Sequence, residues 1–147
     1  MLKTKTKQLL LLGVALIVAL TMHPTKAQSQ IMNRLEVNVP FDFHVGNNTL
    51  PAGKYVIHPL EDSDLTVLEI RSADGSTSAF FDVQSVDAKV VPAKNEVTFQ
   101  KYGNRYFLAK VFEEGNRSGD RVTESRDETR TGQAAEGQEH VPARHGG

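Results

Sequence analysis

Apolar and polar residues alternate with a period of two through most of residues 31–125, and no 3.6-residue repeat runs longer than a turn or two there. That pattern predicts strands with one face buried and the other wet. Leu35, Val37 and Val39 alternate with Arg34, Glu36 and Asn38; Pro40 breaks the ladder, and Phe41, Phe43 and Val45 restart it against Asp42 and His44. Gly46-Asn47-Asn48 ends that strand. Leu50-Pro51-Ala52-Gly53 suits a type I turn leading into a strand from Lys54 to His58.

Two hairpins can be registered from their turns. A type I′ loop at Asp74-Gly75 pairs Ala73 with Ser76, and therefore Ile70 with Ala79, Leu68 with Phe81 and Thr66 with Val83. Gly103-Asn104 suits a type II′ loop. It places Tyr102 opposite Arg105, Lys101 opposite Tyr106, Phe99 opposite Leu108 and Val97 opposite Lys110. Roughly seven or eight short strands with tight turns predict a single small antiparallel β-sandwich, with a small β-barrel as the alternative.

The run Tyr106 to Phe112 (YFLAKVF) breaks the alternation, being apolar on both sides. Such a strand is covered on both faces by its own chain, or its outer face meets a partner. The candidates for internal cover are the stretch around Ile31 and Met32 and the stretch Val86 to Ala93.

The two ends of the chain are of a different kind. Lys3, Lys5 and Lys7 precede the uninterrupted apolar run Leu9 to Leu20, and Thr25-Lys26-Ala27 ends in a small residue, which together read as a signal peptide cleaved after Ala27. Twelve residues rise only about 18 Å as a helix against a hydrocarbon core of about 30 Å, so an uncleaved anchor is the weaker reading. From Arg126 onward Val141 is the only large aliphatic residue and there is no aromatic, so 126–147 reads as a disordered tail. A short helix over 123–130 is the lesser reading. The domain expectation is therefore signal peptide 1–27, β domain 28–125 and tail 126–147.

Composition narrows the chemistry. The 147 residues include 17 Lys+Arg, 18 Asp+Glu and no Cys, which excludes disulfides, Cys-ligated metals and thiol catalysis. Removing residues 1–27 takes away Lys3, Lys5, Lys7 and Lys26 and no acid, so the basic count falls from 17 to 13 against 18 acids, a formal net charge of −5. No basic field remains for nucleic acid. An exported domain without disulfides must also be held by its hydrophobic core alone.

The runs Val39-Pro40-Phe41-Asp42-Phe43-His44-Val45-Gly46 and Leu50-Pro51-Ala52-Gly53-Lys54-Tyr55, with Tyr102-Gly103-Asn104 and Tyr106-Phe107-Leu108-Ala109 downstream, resemble a group of small exported bacterial all-β proteins of unassigned function. The resemblance covers about residues 35–125. It implies an exported all-β domain and carries no active site with it.

Candidate sites are sparse. His44 with Asp42, and His58 with Glu61, Asp62 and Asp64, form a loose metal pattern without fixed spacing, and Glu61-Asp62-Ser63-Asp64 lacks the Gly and closing Glu of a calcium loop. No Gly-x-Ser-x-Gly elbow is present, and Glu113-Glu114 reads as a wet loop. No catalytic, cofactor or metal site is expected. The surface that could bind is Gln100, Tyr102, Arg105 and Phe107 on one face of the second hairpin, an aromatic pair beside an Arg that suits a glycan or a protein. The alternative there is that Phe107 is covered and Tyr102 with Arg105 is a cross-strand pair that stabilises the turn.

These observations lead to an exported, non-enzymatic module, periplasmic or extracellular, that binds a protein or an extended ligand such as a glycan at the cell envelope. It has no cofactor, no nucleic-acid partner and no membrane span once the signal is removed. A self-associating envelope or matrix subunit, oligomeric through the apolar face of Tyr106 to Phe112, is the first alternative. A small secreted hydrolase is the second.

Overall fold

The alternation is realised as strands, and the strands close into a ring. The computed structural model describes residues 33–60, 66–131 and 137–146. Among these residues stand β1 (Leu35–Val39), β2 (Phe43–Val45), β3 (Asn48–Leu50), β4 (Gly53–Pro59), β5 (Val67–Ser72), β6 (Ser78–Asp87), β7 (Glu96–Tyr102), β8 (Arg105–Phe112), β9 (Ser118–Val122), the short helix α1 (Arg126–Thr131) and β10 (Gly137–His145). The signal segment 1–27 lies outside the described residues.

The expected sandwich gives way to its alternative. Eight strands pair antiparallel in the cyclic order β1, β4, β5, β6, β9, β8, β7, β10 and back to β1, a closed barrel, with β2 and β3 attached outside it. The physical reason is β10. Its first six residues pair with β7, from Gly137↔Lys101 to Pro142↔Glu96, and its last three pair with β1, from Ala143↔Val37 to His145↔Leu35. Without this strand the sheet would present two free edges; with it both are paired.

Residues 126–147 therefore differ from the expected disordered tail: α1 and β10 are formed within them. Burial of side chains explains little of this order, since within β10 only Val141 is buried and Ala143 packs partly against the core. The segment is held by backbone hydrogen bonds to strands that need a neighbour. That gain is invisible to a count of apolar residues.

The core follows the period of two. Leu35, Val37 and Val39 of β1, Tyr55 and Ile57 of β4, Leu68 and Ile70 of β5, Ala79, Phe81 and Val83 of β6, Val97 and Phe99 of β7, Leu108 and Val111 of β8, and Val122 of β9 enter one interior. Phe43, Val45 and Leu50 carry the β2–β3 hairpin into the same cluster. Phe43 meets Tyr55 and Phe99 edge-on at 5.1 and 5.3 Å, and Phe41 stacks on Tyr106 at 3.8 Å.

The first hairpin has the predicted register, with Ile70 opposite Ala79 and Leu68 opposite Phe81. Its loop is longer than the predicted two residues, because Ser72 and Thr77 form the last backbone pair and the Ala73 amide donates to Lys54 O instead. Asp74 fills the loop. Its Oδ1 accepts from the Ser76 amide and from the Ser72 and Ser76 hydroxyls, bonds that hold its carboxyl down to about 2.

The second hairpin keeps the predicted pairs Tyr102↔Arg105, Lys101↔Tyr106 and Phe99↔Leu108, then departs from them. A bulge sets Thr98 opposite Lys110 and Val97 opposite Val111, so Val97 does not face Lys110 as alternation alone predicts. One extra residue, Ala109, exchanges the faces beyond it: Val111 turns into the core and Phe112 turns out.

Phe112 finds its cover on β9. A Cβ on Gly119 would lie 2.3 Å from Phe112 Cδ1 and 2.6 Å from Val111 O, so only Gly permits this approach, at the two-pair seam that joins β8 to β9. Gly119→Ala is expected to lower stability by about 1–3 kcal/mol through overpacking. Urea unfolding followed by circular dichroism checks it; an unmoved midpoint would contradict the contact.

Candidate functional site

The four residues that sequence reasoning groups on the second hairpin do come together, but beneath a cover. Phe107 is 1% exposed and Tyr102 8%. His44 of β2 stacks on Phe107 at 4.6 Å and 20°, while Tyr102 meets the same ring edge-on at 5.5 Å. Arg105 lies over it at 5.1 Å. The outer side of β8 is thus covered by β2 and α1, neither of which was among the stretches expected to cover it.

The helix is placed by a signal the sequence does carry. Ser125 caps it, accepting from the Glu128 amide at 3.1 Å, and Ser125-Arg126-Asp127-Glu128 has the spacing of a capping box. Glu128, however, turns inward. Its Oε1 accepts from the Tyr102 hydroxyl at 3.2 Å, burial pushes its carboxyl up, and burial together with the Glu128 charge pushes the Tyr102 hydroxyl up to about 12.

Arg105 fastens the other end of the helix. It donates to Thr131 Oγ1 at 2.9 Å, lies 3.7 Å from Asp127 Oδ2, and points Nε at His44 Nε2 at 3.4 Å. Burial and then the Arg105 charge hold the His44 ring below its ordinary value, against the opposing Asp127. These partners suit a neutral imidazole that accepts at Nε2 and donates from Nδ1 to Thr49 Oγ1 at 3.1 Å. Gln100 stays at the margin, donating to Gly137 O at 2.8 Å.

Among the described residues, the members of the loose metal pattern have other partners. Asp42 accepts from the Ala52 amide, away from His44, and His58 faces Glu69 at 3.1 Å, which Arg71 also binds at 2.7 Å. Glu61, Asp62 and Asp64 lie outside the described residues. Among the described residues no group of three His, Asp or Glu is placed to hold a metal. Glu113 accepts from the Asn33 amide, and the Glu114 amide donates to Asn95 Oδ1, so this acidic pair meets the chain at its own loops.

An open site lies elsewhere. Where β10 leaves β7 for β1, the wall of β1, β4 and β10 forms a groove of about 550 Å³. Val56, Ala73, Pro142 and Ala143 give it apolar surface, and Glu36, Asn38, Lys54 and Arg144 give it polar groups. Arg144 is tied to Glu36 at 2.7 Å across the β1–β10 seam. Sequence reasoning missed this groove because β10 supplies part of its lining. No family model, curated protein or solved structure matches the chain.

Two outcomes are expected at the hairpin. Phe107→Ala should destabilise the fold by about 3–5 kcal/mol, as for a core aromatic; a near-neutral effect in urea unfolding would return Phe107 to the surface. Glu128 makes the fold weaken as pH rises, because a carboxyl raised in the folded state keeps its proton there after the unfolded chain has lost it at its ordinary value of 4.5. Glu128→Gln should therefore gain stability over the natural chain at neutral pH and lose that advantage below pH 4.5. Thermal unfolding across pH measures it; a constant difference would contradict the burial of the charge.

Proposed function

We propose that the chain is an exported, non-enzymatic β-barrel protein that works at the cell envelope by binding, with the groove between β1, β4 and β10 as the place where a ligand sits. The groove carries the reading. Its volume suits a small molecule or a short extended segment, its floor is apolar, and polar side chains rim it. No Ser, Cys or His stands among its lining residues, and its Glu36 carboxylate is tied to Arg144 at 2.7 Å. Tyr55, the one lining residue with a phenolic hydroxyl, donates that hydroxyl to Pro51 O at 2.6 Å.

Export rests on the segment 1–27, whose basic start, apolar run and small residue at Ala27 read as a cleaved signal. No helix among the described residues is long and apolar enough to cross a membrane. The self-associating alternative loses the surface first assigned to it, since Phe107, Leu108, Val111 and Phe112 are all buried within one chain.

Native mass spectrometry of the protein recovered from the compartment to which its host exports it tests both parts. The expected species begins at Gln28 and carries a small-molecule adduct that Val56→Asp with Lys54→Glu removes. A chain that is bare, and stays bare with extracts of that compartment, would overturn the ligand-binding reading. A retained segment 1–27 would overturn cleavage.

A further inference from the structure

We infer that β10 is an exchangeable strand and that the slot between β7 and β1 accepts the β10 of a second copy of this chain. The inference does not rest on the groove as a ligand site. It starts from what holds the strand. Of nine residues only Val141 is buried, so little apolar surface ties β10 to its own barrel. The remaining ties are the backbone pairs to β7 and β1 and polar contacts at the surface: His140 to Glu96 at 2.6 Å, Arg144 to Glu36 at 2.7 Å, and Gln138 to Gln100 at 3.3 Å. A second copy supplies every one of these without change, so exchange leaves the bonds of the ladder the same in number and kind.

The slot itself demands an occupant. Val97 and Phe99 on one side, and Leu35 and Val37 on the other, belong to the core, and the strands bearing them have no other partner along these edges among the described residues. An empty slot would expose both apolar rows and unpaired backbone, which favours refilling by the strand whose register already fits. Topology permits it. β10 runs antiparallel to both neighbours and is held between them only along its two edges, so it parts from the sheet sideways. The cover that precedes it is also polar in its attachments, since α1 is fastened through Glu128, Asp127 and Thr131 rather than through apolar side chains.

The chain has no cysteine, so thiols can be placed to read the exchange. Gln100 and Gln138 are cross-strand partners on the outer face. The full mature chain is prepared as Gln100→Cys, as Gln138→Cys and as the double variant. The single variants are mixed at high concentration in native buffer, oxidised and run on a non-reducing gel. A covalent dimer in the mixture, above the level of either single variant alone, is the expected result. If the double variant closes within one chain while the mixture gives no dimer, β10 stays at home and the inference fails. A dimer of equal yield in the unmixed single variants marks random collision and also overturns it, as does a double variant that never closes.

Discussion

A sheet that curls into a ring must satisfy the backbone groups of its first and last edges at once, and in this protein a single polar strand does both. β10 meets β7 with its first six residues and β1 with its last three, so the closure of the barrel depends on one ladder of main-chain hydrogen bonds. The rest is arranged around that closure. The interior is filled from the other strands, whose alternating Val, Leu, Ile and Phe leave β10 little to add beyond Val141. Because the core is nearly complete without it, the closing strand is free to be hydrophilic.

The same closure explains how the second hairpin is treated. β8 lies between β7 and β9, and the bulge at Ala109 turns Val111 into the barrel and Phe112 out toward Gly119. Ahead of the bulge, Phe107 faces outward and would be wet without a second layer. His44 and Tyr102 supply the ring contacts, and α1 supplies Glu128, Asp127 and Thr131 around them. A helix that buries a carboxylate to cover an aromatic pair is held by hydrogen bonds more than by apolar contact. Glu128 shows the cost in its raised carboxyl.

What could be read in advance follows from which forces leave a mark on composition. Period-two patterning located β1, β2, β5 and β6 but not β3, whose Asn48 and Leu50 read as a strand end and a turn, and turn chemistry at Asp74-Gly75 and Gly103-Asn104 gave registers that hold out to Phe81 and Leu108. The bulge left no mark, because Ala109 in an apolar run looks the same on either face. β10 left none either, since backbone pairing is indifferent to side chains, and with it went the choice of barrel over sandwich and the groove it lines. α1 was legible in part: Ser125 and Glu128 have capping spacing, but nothing local says that Glu128 turns from the cap toward Tyr102. The grouping of Gln100, Tyr102, Arg105 and Phe107 was correct as a face, while its burial depended on segments distant in sequence.

These features converge on one segment. α1 covers the hairpin, and β10 closes the barrel and builds one wall of the groove with Pro142, Ala143 and Arg144. Gln100 is where these roles meet, since its side chain bonds Gly137 O and accepts from Gln138 at the point where the strand begins. Loosening β10 from β1 would therefore undo the Arg144–Glu36 tie and the groove with it, and loosening it from β7 would release Gln100 from Gly137 O and Gln138. A ligand seated in the groove, as proposed, would contact β1 and β10 together and so add its binding free energy to the closed ring. Closure and groove are thus linked through main-chain pairing of a strand that contributes almost nothing to the core.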